Sequence, residues 1–348
     1  IMGHPGDPAI YEPWAKSAAS YVDLAERRSG PIPRAVAPDY VWGDVLTDLR
    51  EAAPDAFVVN LETAVTDRGS PWPGKGIQYR MHPANVDCLT AAGVDVAVLA
   101  NNHVLDWSFP GLEQTVEVLR AADIGLTGAG GRSSDAWAPA VLERSGGRRV
   151  LVFGAGAQSS GIPQAWAATD RSPGVALLAD LSDAAVDQVR AMVQSAAGPD
   201  DIVVLSLHWG GNWGYDVSEA QQHFARSLVD EAGVHVLHGH SSHHPLGIEV
   251  HNGRLILYGC GDLITDYEGI RGHEEYRGEI GALYLATVDA ASGDLRDLEL
   301  VPTKMHRFQL TRPSATDVHW LAGVLNREGA RSGTAVDKTD GGKLTLAW

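Results

Sequence analysis

Val94-Asp95-Val96-Ala97-Val98-Leu99-Ala100-Asn101-Asn102-His103 is an apolar, β-branched-rich run that ends abruptly on two amides and an imidazole. A continuous apolar stretch of this length predicts a strand buried on both faces, and its polar end predicts a site. The pattern repeats at Ala56 to Asn60, Val150 to Phe153, Ile202 to Leu207, Val234 to Leu237 and Leu255 to Tyr258. Between these runs, apolar residues recur at helical spacing over 14–27, 44–53, 83–92, 112–122, 184–196 and 218–232. Strands alternating with helices predict a layered α/β fold. Beyond Gly281 the pattern turns β-rich, with strands over 282–289, 295–302, 307–311 and 343–348 and a helix over 315–329. We read 1–348 as a single domain, of which 282–348 is a β-rich C-terminal extension. Gly69 to Gly76 and Gly154 to Pro173, rich in Gly, Pro, Ser and Ala, read as loops.

Composition narrows the function. The 348 residues carry 27 Lys plus Arg against 44 Asp plus Glu, a net charge of −17. Nucleic acid and anionic membrane surfaces call for a basic footprint, so neither is expected as a partner. Two cysteines, Cys88 and Cys260, make no disulfide framework and no cysteine zinc site. No run approaches the ~20 apolar residues of a membrane helix. With no signal-peptide pattern, we expect a cytoplasmic protein. The oligomeric state stays open. Histidine is concentrated: nine of 14 lie between His208 and His273.

Ligands in layered α/β folds sit beyond the carboxyl ends of strands. Five strand ends here carry Glu62, then Asn101-Asn102-His103 with Asp106, then His208, then His238-Gly239-His240-Ser241-Ser242-His243-His244, then Asp262. One such histidine is more often a satisfied polar group. Five converging ends point instead to a divalent-metal site built from imidazole and oxygen donors, with His208, His240 and His243 as its core. His223, His235, His244 and His251 read as bystanders, His223 within a helix and His235 within a strand.

In this order, Asn-Leu-Glu-Thr at 60–63, Ala-Asn-Asn-His at 100–103 with Asp106, His-Trp-Gly at 208–210, Gly-His-x-x-His at 239–243 and Tyr-Gly-x-Gly-Asp at 258–262 resemble the motifs of the CapA-type, poly-γ-glutamate capsule-synthesis proteins. These belong to the calcineurin-like metallophosphoesterase superfamily. The resemblance spans about Trp42 to Tyr284. It implies an αββα sandwich of two mixed sheets flanked by helices, with the site at the strand ends. It implies His208, His240 and His243 as metal ligands, Glu62 and Asn102 as oxygen ligands, and His103, paired with Asp106, as an acid/base group. The implied cofactor is a divalent ion (Mn, Zn, Ca, Ni or Fe), with no organic cofactor. The sequence departs from the family at three places. Ser241-Ser242 stands where His and Pro are frequent, and Gly261-Asp262-Leu263 replaces Gly-Asn-Phe. The family's opening Gly-Asp-x-Met strand has no counterpart before Trp42, so we expect a first strand upstream of Ile1.

Such a site suits several roles. A phosphoesterase needs cations for phosphate, for which Lys75 and Arg80 are candidates. An epimerase needs two acid/base groups flanking one carbon. His273, in Gly272-His273-Glu274-Glu275-Tyr276, would be the second beside His103. Within the family, the sequence also resembles the lasso-peptide epimerase type, which inverts the C-terminal residue of a ribosomal precursor peptide. Trp209, Trp213 and Tyr215, with Trp107 and Trp166, would surround a bulky peptide end, and Asp262 would contact it. We therefore expect a metal-dependent peptide epimerase acting on a precursor-peptide C-terminus. A CapA-type phosphoesterase or hydrolase, and a non-catalytic capsule-assembly protein, are the alternatives.

Overall fold

The computed structural model describes residues 1–348, the side chain of Ser145 excepted. Three sheets carry the site. The first is parallel, β1 (Val58–Asn60), β2 (Val96–Val98) and β3 (Gly125–Thr127), in that order. The second has seven strands: β4 (Ala140–Glu143), β5 (Arg149–Ala157), β6 (Leu177–Leu178), β7 (Ile202–His208), β8 (Val236–His240), β9 (Ile248–His251) and β10 (Arg254–Leu257). Its order is β6-β5-β7-β8-β10-β9, with β4 also on β5. The pairings from β6 through β10 are parallel, while β9 and β4 pair antiparallel. The third is antiparallel: β11 (Ile280–Val288), β12 (Leu295–His306), β13 (Gln309–Thr311), β14 (Ala335–Lys338) and β15 (Leu344–Ala347).

Apolar side chains bind these sheets into layers. Val96, Val98, Val152, Leu283 and Val301 share one buried cluster with Val45, Leu49, Leu112 and Leu119. This places helices α1 (Val45–Ala52) and α2 (Ser108–Ala121) outside the first sheet. On the far face of the seven-stranded sheet, Phe153, Leu205 and Leu207 pack on α3 (Asp183–Ala196) and α4 (Glu219–Ala232). Helix α5 (Ala315–Gly329) covers the third sheet through Val318, Leu321 and Leu325. The result is the αββα sandwich. Each fully buried Leu or Phe contributes roughly 1.5–3 kcal/mol. Local chemistry sets the helix ends. Ser218 and Gln221 form a capping box at the start of α4, and Gly233 closes it at φ 75°. The C-terminal part shares its core with β9 and β10.

Two expectations need correction. Gly154 to Ala157 is not loop but the end of β5, paired with β7 and β6. Its glycines are there because the sheets approach closely: a Cβ on Gly154 would stand 2.8 Å from Val98 and 3.0 Å from the Gly128 backbone. His235 lies one residue before β8 rather than within it. Both cysteines are free thiols. No helix is long and apolar enough to cross a membrane.

Candidate metal centre and acid/base site

Parallel pairing brings the site together. The β7–β8 register sets His208 opposite His240 and Ser206 opposite His238. The β1–β2 register aligns Asn60 with Val98, so the turns carrying Glu62 and Asn101–His103 leave the sheet side by side. Asn101 fastens them. Its Nδ2 donates to Asn60 Oδ1 (3.0 Å) and Leu61 O (2.9 Å), while its Oδ1 accepts from the His103 and Val104 amides. After β8, Ser241 turns the chain at φ 112°, a conformation costing a non-glycine residue about 1–3 kcal/mol and common at functional sites.

Glu62 is the hub. Asn60 Nδ2 donates to its Oε2 at 2.9 Å, and its Oε1 lies 3.9 Å from His208 Nε2. Burial opposes its charge, but His208, His103, His243 and the Asn60 hydrogen bond outweigh this and hold its carboxyl below the usual range. Burial drives His208 down to about 4 against the pull of Glu62. Burial likewise holds His238 at about 4 and His240 well below its ordinary value. These imidazoles are therefore neutral at pH 7, the form that binds metal. Behind Glu62 they form a chain. His208 Nδ1 and His240 Nδ1 are 2.8 Å apart, and Ser206 Oγ bridges His240 Nε2 (3.0 Å) and His238 Nδ1 (2.9 Å).

Two buried atoms here have no hydrogen-bond partner: His208 Nε2 and Asn102 Oδ1. An orphaned imidazole nitrogen 3.9 Å from a carboxylate, and an unpartnered amide oxygen on the residue before His103, are donor types a divalent cation takes. The donor chemistry of Glu62, Asn102 and His208 thus fits such an ion. Among the described residues, however, no three His, Cys, Asp or Glu side chains converge closely enough to form a ligand group by themselves. Both nitrogens of His240 are taken up by His208 and Ser206. His243 turns its Nδ1 to Asp262 at 3.0 Å. Burial works against protonation of His243, but Asp262 and Glu62 overcome it and raise its pKa.

His103 sits beside this centre. Its Nδ1 is 2.7 Å from Asp106 Oδ2 and 3.0 Å from Lys75 Nζ, and Lys75 also pairs with Asp106 Oδ1. The Tyr79 ring stacks on the imidazole at 4.2 Å and 28°. Tyr79 Oη meets Tyr267 Oη at 2.6 Å, and Tyr267 packs edge-on against His243 at 5.2 Å. Trp213 continues the run, 5.2 Å from His243 and stacked on His273 at 4.0 Å and 8°. Ring contacts therefore connect His103 to exposed His273 without a break. Tyr276 joins the far end, 4.6 Å from His244, and Tyr215 lies 4.6 Å from His244 beneath Arg327. A cavity of about 1570 Å³ reaches Glu62, Tyr79, His243, Asp262 and Tyr267 and extends between β1 and β11.

Other candidate residues stand apart from this run of rings, although Arg80 and Trp107 line the same cavity. Trp209 is buried against Phe224 and Tyr258 and donates to Tyr258 O. Trp166 and Trp107 are buried as well. Arg80 lies over the Trp107 ring at 3.8 Å and pairs with Asp7 at 3.3 Å. Tyr79 and Tyr267 have no place among the sequence-based expectations, and Asn101 appears there only as part of a strand end, without the fastening role that its hydrogen bonds give it. Asn101 was legible as the first polar residue after a buried strand; the two tyrosines carry no local signal.

Fold and site together define a calcineurin-like metallophosphoesterase fold with a histidine-rich centre at its strand ends. Residues 5–267 match the bacterial capsule synthesis protein family PGA_cap, and the chain belongs to that family. It is 44% identical over 337 residues to a probable polyglutamine synthesis accessory protein of Mycobacterium tuberculosis, covering 97% of this chain and 88% of the relative. It is 29% identical over 215 residues to the PGA biosynthesis protein CapA of Bacillus subtilis, covering 62% of this chain and 54% of that one. The capsule biosynthesis protein CapA of Bacillus anthracis is 28% identical over 192 residues, 55% of this chain and 45% of the relative.

Proposed function

We propose that this CapA-type protein is a divalent-metal-dependent epimerase that inverts the Cα of a peptide's C-terminal residue. One observation carries the reading: His103, paired with Asp106, and His243, paired with Asp262, both lie close enough to Glu62 to favour its charge, and His243 joins His273 through the Trp213 ring, so both expected acid/base histidines belong to one aromatic wall of the site. Inversion needs a group to remove a proton from one face of a carbon and another to return one to the opposite face. A cation held by Glu62, Asn102 and His208 would polarise the substrate's carboxylate oxygen. His103, braced by Asp106, exchanges a proton at Nε2 on one side. His273 does so on the other, and the two swap roles in the reverse direction. Each turnover consumes one proton and returns one, so nothing else is required. Trp213, Tyr276 and Tyr215 shield the rim from water and offer flat surfaces to a bulky side chain.

A phosphoesterase is less well supported. Lys75 and Arg80, the cations it would use, already have carboxylate partners. A CapA-type role in capsule-polymer synthesis is the second reading, favoured by the family match and by similarity to proteins named for PGA biosynthesis and for polyglutamine synthesis. The test is incubation of the metal-loaded protein in heavy water with ribosomal-type peptides bearing free C-termini, beside γ-glutamyl oligomers and a generic phosphomonoester. The epimerase reading expects one deuterium at the terminal Cα and a D-residue on chiral analysis. Cleavage of the oligomer or the phosphomonoester without deuterium uptake overturns it.

A further inference from the structure

Lys75 comes to His103 on the Pro- and Gly-rich loop of residues 69–79, and that loop wraps the His103–Asp106 turn throughout. The Trp72 amide donates to Asp106 O at 2.8 Å, and the Tyr79 amide donates to Asp106 Oδ2 at 2.6 Å. The Gln78 side chain donates to Lys75 O. The Tyr79 ring lies on the imidazole. The Lys75 side chain is only 17% exposed, that of Asp106 0%, and Nζ also sits 5.4 Å from the Trp166 ring centre. The ammonium therefore points inward and spends its donors on Asp106, on His103 and on an aromatic face.

The contacts at His103 Nδ1 exclude one another. Asp106 can only accept, so its 2.7 Å contact needs a proton on Nδ1. An ammonium can only donate, so the 3.0 Å contact from Lys75 needs Nδ1 bare. A neutral ring satisfies one partner at a time, and the choice fixes whether Nε2 is bare or protonated. With Asp106 served, Nε2 is bare; with Lys75 served, Nε2 carries the proton.

We propose that Lys75 is a positioning residue that competes with Asp106 for Nδ1 and so gives neutral His103 two tautomers, rather than a contact for an anionic substrate group. Its kinetic consequence rests on the epimerase reading; its structural consequence does not. The experiment is nitrogen NMR of histidine-labelled protein, with the His103 signals identified by their absence in His103→Gln. Wild type gives ring-nitrogen shifts averaged between the two tautomers, whereas Lys75→Met gives the pattern of a protonated Nδ1 alone. Lys75→Gln is the second variant, also expected to leave Asp106 the dominant partner, and thermal melting verifies folding. In deuterium exchange, Lys75→Met lowers kcat about ten- to a hundredfold with KM within about twofold, because the residue touches the histidine and not the substrate. Unchanged ring signals in folded Lys75 variants overturn the proposal. So does a rise in KM at constant kcat, the mark of a substrate contact. If wild type shows no exchange at all, the epimerase reading fails while the ring signals still decide the role of Lys75.

Discussion

The histidines at the ends of β7 and β8 and those along the rim belong to the same site but face different physics. His208 and His240 are buried among strands and His238 is half-buried beside them; they are linked by hydrogen bonds to one another and through Ser206, and their pKa values are pushed down. His103 and His243 each have a carboxylate partner, and His273 lies exposed on Trp213. Burial that outweighs any nearby carboxylate keeps an imidazole neutral and suits it to a cation. For His243, Asp262 and Glu62 outweigh burial and favour the protonated ring. The sequence places all of them at strand ends; the environment separates the roles.

The largest way to break this comparison is at the rim. His103→Ala is expected to lower exchange about 10²–10⁴-fold, the range for a positioned acid/base group, while melting moves little. A loss of activity matched by a loss of folding would move His103 to the structural set.

His240→Ala should do the reverse and show first in stability. It leaves His208 Nδ1 unpaired while Ser206 keeps His238, and a buried group left unpaired costs about 1–3 kcal/mol. Urea midpoints measure it, and an unchanged midpoint would remove His240 from the buried chain.

The same comparison predicts a pH dependence. His208, His235, His238 and His244 have folded values lowered by burial from 6.5 to about 4. Between those values the unfolded chain binds more protons than the folded one, so stability rises with pH. The contribution is complete above 6.5 and is lost as pH falls toward 4. His243, raised by Asp262, acts oppositely: its contribution is present below 6.5 and disappears as pH rises through its folded value. With His240 also lowered, five lowered histidines against one raised make the net expectation a urea midpoint that falls as pH drops from 6.5 to 4. A flat midpoint would contradict the buried set.

Tyr79→Phe is the smallest perturbation. It removes the hydroxyl contact with Tyr267 and keeps the ring on His103, for about 0.5–1.5 kcal/mol of stability and little change in exchange.

These contrasts also show what the sequence made legible. Strand runs ending in Asn60, Asn101, His208 and His240 placed the centre, because buried parallel strands read as continuous apolar stretches. Gly154 to Ala157 misled, since glycine admits a loop and a close sheet contact equally and only the neighbouring Val98 and Gly128 distinguish them. Trp209 is adjacent to His208 yet faces the opposite side of the sheet, as strand alternation requires, and packs in the core. Lys75 read as a free cation because its partner, Asp106, lies 31 residues away.

Calorimetric titration of the metal-free protein with Mn²⁺ tests the central division most directly. The account predicts that His208→Ala abolishes binding while His273→Ala binds like wild type. Retained binding in His208→Ala, or an equal loss in His273→Ala, would contradict it.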